Sequence, residues 1–181
     1  MTRYELTPGG MIRRLADGAV IPRDDRNGEY RDYLDYVSAG GDEALLPAPT
    51  LAEARAAKVE AINAQRDLVL AAGAPYGPAR IAVHDGARAD LSGMAAYATT
   101  VLITAATPAP IAWPDSYALG WIAVDNNRVP LPTAADGLAL AAAVGAWYGA
   151  VVQHARNLKD EALAAPDVAA LDAVDPAAGW P

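Results

Sequence analysis

The side chains that could move protons or attack a carbonyl are few. The chain has two histidines, His84 and His154, and three serines, Ser38, Ser92 and Ser116. His84-Asp85 has the adjacency of an acid–base pair, but it stands where a short apolar run ends, followed by Gly86. It reads as polar residues entering a turn. His154 lies beside Arg156 in the second half of an expected helix, where an interaction with the helix dipole is the expectation. Neither histidine has H-E-x-x-H or comparable ligand spacing around it. Ser38 precedes Ala39-Gly40-Gly41 and reads as part of a helix end, and Ser92-Gly93 reads as a helix start. Neither is in a G-x-S-x-G elbow. Asp24-Asp25 and Asp160-Glu161 have no calcium-loop pattern, and Asp125-Asn126-Asn127 reads as a tight turn. Glycan cleavage needs paired carboxylates on a rigid scaffold, and the acidic residues here are scattered. No catalytic residue, cofactor residue or metal ligand is assigned. Trp113, which stands between prolines, together with Tyr117 and Tyr76, forms the candidate set for contact with a glycan or a protein partner, with burial as the ordinary role of such rings.

Composition narrows the classes further. The 181 residues suit one domain, or one plus a small module. Hydrophobic residues make up 53% of the chain but Phe is absent, so the core falls to Val, Ile, Leu, Ala, Tyr and four Trp. The absence of Cys excludes disulfides and thiolate chemistry. Fourteen basic against 22 acidic residues give a net charge of −8, which argues against a nucleic-acid partner. No run is expected to approach the roughly 18 apolar residues of a membrane span, so no membrane insertion is expected. Met1 to Gly10 lacks the order of a secretory signal.

These residues must be positioned by elements the punctuation makes visible. Over residues 1–22, short apolar segments are separated by Pro8-Gly9-Gly10 and Asp17-Gly18, which predicts a small β-meander. Glu29 to Ala39 places Tyr30, Tyr33, Leu34 and Val37 on one helical face, ending at Gly40-Gly41. Asp42 to Pro49 reads as a linker. Thr50-Leu51-Ala52-Glu53 has the capping-box pattern and opens a helix to about Ala72. Arg80 to Val83 is a short strand candidate closed by Asp85-Gly86. A second helix follows, capped by Asp90 or Ser92, and stops at Thr107-Pro108. Trp121 and its neighbours form a strand that turns at Asp125-Asn126-Asn127 and returns through Val129. Thr133 opens the last long helix, with Gly145 and Gly149 one turn apart as points of close helix approach. The expected fold class is α+β: residues 1–41 form a β-meander-plus-helix attachment module, 42–49 a Pro-containing linker, and 50–181 a mainly helical domain with short β-hairpins.

The run Leu6-Thr7-Pro8-Gly9-Gly10, then Arg14-Leu15-Ala16-Asp17-Gly18-Ala19 and Ile21-Pro22, followed by Glu29-Tyr30-Arg31-Asp32-Tyr33-Leu34 and Ala39-Gly40-Gly41, resembles the opening of small proteins from the tail-fibre regions of tailed bacteriophages. The remainder resembles a phage tail-fibre domain of unknown function through Ala57-Lys58, Ile62, Arg66-Asp67, Pro75-Tyr76-Gly77, Ile81 to Asp85, Trp121, Asp125-Asn126, Val129, Leu131 and the closing Gly179-Trp180-Pro181. It departs from that pattern at Ala123-Val124, where an aromatic followed by Thr is common. The resemblance brings no catalytic residues with it.

The resemblance implies a non-enzymatic structural component of a phage tail, a fibre or a fibre-to-baseplate connector. Its partners would be other tail or fibre proteins, and it would be made in the bacterial cytoplasm and carried in the virion tail. The alternatives are a tail-fibre assembly chaperone and a carbohydrate-binding receptor-recognition tip. Fibres of this kind are usually trimeric, which sets the expectation of a homotrimer. The Thr50–Ala72 helix gives that expectation a place. Val59, Ile62 and Val69 keep near-heptad spacing on a stripe interrupted by Arg55 and Arg66, too narrow for a deep core face. The expected seam is therefore intermolecular, and Ile62→Asp is expected to dissociate it.

Overall fold

Turn chemistry shapes the first unit, which spans Met1–Thr50; the computed structural model describes residues 3–181, so the first two residues of the expected meander lie outside it. Strands β1 (Tyr4–Leu6), β2 (Ile12–Arg14) and β3 (Val20–Ile21) pair antiparallel in chain order. Their register sets Leu6 opposite Ile12 and Ile12 opposite Ile21. Helix α1 (Gly28–Ser38) starts at Asn27, whose side chain accepts from the Glu29 amide at 2.9 Å. Tyr30 and Tyr33 turn inward on Tyr4, Ile12 and Ile21. Tyr4 meets Tyr33 edge-on with ring centroids 5.1 Å apart, and Tyr30 stacks on Tyr33 at 6.0 Å. Tyrosine thus takes the place of the missing Phe, with such pairs contributing about 0.5–1.5 kcal/mol beyond burial.

The expected linker is partly fastened to this unit. The Leu6 amide donates to the Leu45 carbonyl at 2.9 Å, and the Ala44 amide donates to Tyr33 Oη at 3.0 Å. Arg14 joins meander to helix by donating to Asp17 (2.7 Å) and Glu29 (3.0 Å).

The second unit, Leu51–Pro181, is arranged along one helix. In order it contains α2 (Leu51–Ala71), β4 (Ala74–Tyr76), β5 (Ala79–Ile81), α3 (Asp85–Thr104), α4 (Asp115–Ala118), β6 (Trp121–Ile122), β7 (Arg128–Val129), α5 (Ala134–Ala164) and α6 (Val168–Ala173). Two hairpins, β4–β5 and β6–β7, supply the strands. The fold class is therefore mixed α+β, a small antiparallel sheet followed by a mostly helical region with short hairpins.

Helix α5 opens with the capping box at Thr133 and Asp136. Its 31 residues extend about 46 Å at 1.5 Å per residue. Its first half, through Leu140 and Val144, packs with Ile81, Leu91, Met94 and Leu131. Its second half, through Ala155 and Ala162, packs with Ile62, Leu171 and Val174. By length and composition α5 also passes as a membrane span, against the expectation that no such run occurs. Residues 138–155 carry no Asp, Glu, Lys or Arg, and the alanines obscure how long that run is.

Two further expectations change. Helix α3 starts at Asp85, five residues before Asp90, because His84 caps it. Gly145 and Gly149 are not points of close helix approach within the domain, since a Cβ built at either meets nothing of this chain within 4 Å. Along the outer side of α3, hydroxyls bond back one turn: Ser92 to Arg88 O, Thr99 to Ala95 O, Thr100 to Ala96 O and Thr104 to Thr100 O.

Arg14 holds the Asp17 carboxyl well below the usual carboxylate range, at about 2, chiefly through the direct hydrogen bond, with the Ala19 amide helping. A lowered folded-state pKa means that this carboxylate favours the fold above the ordinary Asp range and ceases to as pH falls through about 2. Carbon-detected NMR titration is expected to show Asp17 ionising near 2, and Arg14→Ala is expected to return it toward about 3.9.

Candidate functional site

The aromatic residues expected to contact a partner fall in two places. Trp113 and Tyr117 come together at the start of α4, stacked with centroids 5.0 Å apart and planes 27° apart. Tyr97, on α3, joins them at 6.5 Å from Trp113 and 6.3 Å from Tyr117. Sequence reasoning missed Tyr97, because it stands on a helix stripe with only tertiary structure to connect it to residue 113. The indole is also a packing element: Trp113 Nε1 donates to the Leu131 carbonyl at 2.9 Å. Its far edge lies against Gly137, where a Cβ would sit 2.8 Å from Trp113 Cη2. What the cluster offers outward is chiefly the Tyr97 ring and the outer face of the stack.

Tyr76 lies elsewhere, in a groove of about 280 Å³ between the two hairpins that also includes Pro78, Asp125, Asn127, Arg128 and Pro130. Hairpin geometry builds this groove. Gly73 holds φ +80°, and a Cβ there would come within 2.8 Å of the Ile81 carbonyl oxygen. Asn126 takes the left-handed conformation at φ 64° in the β6–β7 turn. The Asp125 carboxyl is held below its ordinary range by the Asn127 backbone amide (3.1 Å) and by Asn127 Nδ2 (2.8 Å). Arg128 Nη1 donates to the Gly120 carbonyl at 3.2 Å. The groove combines a ring with an anionic turn.

The two histidines serve local structure. His84 Nδ1 accepts from the Ala87 amide at 3.2 Å as the cap of α3, while Asp85 pairs with Arg88 at 2.6 Å. The adjacent His84 and Asp85 therefore act in one helix turn rather than as an acid–base couple. His154 Nε2 lies 2.9 Å from the Ala178 carbonyl, and its ring meets Trp180 edge-on at 4.8 Å, so it holds the closing residues against α5. This replaces the expected dipole role.

The seam residues require a correction. Ile62 is 0% exposed and packs against Ala155, Leu171 and Val174 of its own chain. Val59 and Val69 are half-buried. The stripe on α2 looked too narrow because its contacts are with α5 and α6, where alanine backs much of the interface. Arg55 turns to its own chain, where its Nη2 donates to the Ala165 carbonyl. Arg66 pairs with Asp67 at 2.7 Å.

Residues 53–178 match a family described as a domain of unknown function (DUF4376). The chain belongs to that family. No curated protein and no solved structure matches it. The DUF4376 region corresponds to the second unit almost in full, and it contains the aromatic cluster, the hairpin groove and the whole of α5.

Two outcomes follow for this domain. Ile62→Asp should unfold it, costing more than about 4 kcal/mol for a charge placed in the core, with chemical denaturation as the measurement. Gly→Ala inside a helix ordinarily gains up to about 1 kcal/mol. That gain is expected at Gly145 and Gly149, where space is open. At Gly137 the sign should reverse, because the methyl displaces the Trp113 indole. Melting temperatures of the three single variants test this, with Gly137→Ala the lowest.

Proposed function

We propose that the protein is a non-enzymatic structural part of a bacteriophage tail, acting as a connector between a fibre and its attachment point. The observation that carries this reading is the two-unit layout: a 50-residue unit with its own tyrosine-rich core precedes a DUF4376 domain with separate cores of its own. A small module placed ahead of a larger one suits a part that joins two neighbours. The resemblance of the opening segment to tail-fibre-region proteins supports the same assignment, and with it a trimer.

A second reading, a fibre assembly chaperone, is favoured by exposed apolar side chains. Ile103 is 72% exposed and Leu119 65% exposed, and a client protein would cover such groups.

Mass spectrometry of purified particles of a phage that encodes the chain separates these readings. The connector is expected in the virion in a fixed ratio to the fibre protein. Its absence from particles would sink the connector. Recovery only with unassembled fibre would move the assignment to the chaperone.

A further inference from the structure

The second unit has eight basic side chains in a net charge of −5. Four of them serve backbone carbonyls within the unit: Arg55 reaches Ala165, Lys58 reaches Val174, Arg80 reaches Gly73 and Arg128 reaches Gly120. The other four, Arg66, Arg88, Arg156 and Lys159, all border one surface channel along α5. The channel consists of three grooves of about 420, 490 and 370 Å³, and Tyr148 lines all three. Its walls are α3 on one side and α2 on the other. Between Leu138 and Lys159 it follows about 32 Å of helix.

The floor is apolar and low. Leu70, Ala141, Gly145 and Val152 line it, and nothing stands within 4 Å of a Cβ built at Gly145. Small residues of this kind let a second helix approach closely. The Arg88 guanidinium lies 4.3 Å from the centroid of the Tyr148 ring. Arg66, Arg88 and Arg156 are each paired with a neighbouring aspartate at the surface, pairs that are weak and exchangeable in water. Lys159 has no ion pair among the described residues.

We infer that this channel binds an acidic amphipathic helix of a partner protein, whose apolar side chains enter the floor and whose carboxylates meet Arg66, Arg156 and Lys159. Charge complementarity selects this occupant. Four cations face Asp67 and Asp85, which line the same grooves, and Asp160, which pairs with Arg156, so the channel is slightly positive while the remainder of the domain is net acidic, and the attraction for such a helix is confined to this line. A flat membrane does not reach a concave floor. A two-fold pairing of this face with a second copy would set like charges near the axis against one another. The inference concerns the DUF4376 domain alone and does not depend on the tail assignment.

The probe is a fluorescein-labelled synthetic helix of about 20 residues, matched to the channel length, with Leu along one face and Glu elsewhere. Its counterpart carries Lys at every Glu. Fluorescence anisotropy with the full chain is expected to show salt-sensitive micromolar binding of the Glu peptide, and binding of the Lys peptide at least about tenfold weaker, against the net charge of the domain. The double variant Arg156→Glu/Lys159→Glu should lose about tenfold. Gly145→Leu, which fills the floor with a good helix former, should lose binding at every salt concentration. Circular dichroism of each variant controls for folding. Equal binding of both peptides, or an affinity unmoved by either variant, overturns the proposal. So does a dimer that Gly145→Leu converts to monomer in light scattering, which gives the channel to a second copy. Binding to phosphatidylglycerol-containing vesicles in preference to the Glu peptide gives it to lipid and overturns the proposal as well.

Discussion

One helix closes both cores of the second unit, and that constraint shapes everything packed on it. The first half of α5 completes the cluster of hairpins and α3 through Leu140 and Val144, and the second half completes the α2–α6 cluster through Ala155 and Ala162. Because the contact positions are often alanine, neighbours approach closely, and each contact buries little area per side chain. The domain compensates with directed bonds at its periphery: Arg55 and Lys58 cross from α2 to carbonyls beside and after α6, and Trp147 Nε1 reaches the Pro181 carbonyl at 3.2 Å. The same economy of side-chain volume leaves the channel along α5 open.

The elements whose ends are written in side chains were legible. Thr133 with Asp136, the glycine turns of the meander, and the apolar runs around Trp121 and Val129 all read correctly because each acts within a few residues of itself. The start of α3 was not legible. A histidine at the cap is uncommon beside Ser and Asp, and Asp85-Gly86 carries a strong turn signal although both residues lie in the first helical turn. The α2 stripe was misread for another reason: periodicity reports which face is apolar, not which chain covers it. Ile62 has the spacing of a seam residue and the burial of a core residue, and only the folded positions of residues more than 90 apart distinguish the two.

The candidate site was legible in part. Trp113 and Tyr117 are close enough in sequence for a common loop to unite them. Tyr97 belonged to the cluster without any local sign, and Tyr76 belonged to another groove. The basic line along α5 was hidden for the same reason. Its members come from α2, α3 and α5, separated by up to about ninety positions, and each has an aspartate within four positions of it, Asp67, Asp85 or Asp160, so that no basic cluster shows in a linear reading.

The threonines of α3 change what the outside of that helix presents. With Thr99, Thr100 and Thr104 bonded back to carbonyls of the preceding turn, their hydroxyl donors are occupied along a stretch that also exposes Leu102 and Ile103. A side chain counted as polar by composition thus behaves at this surface as a short aliphatic one. Whatever lies against it need supply no acceptors, and the wetting of the domain is less even than its charge suggests.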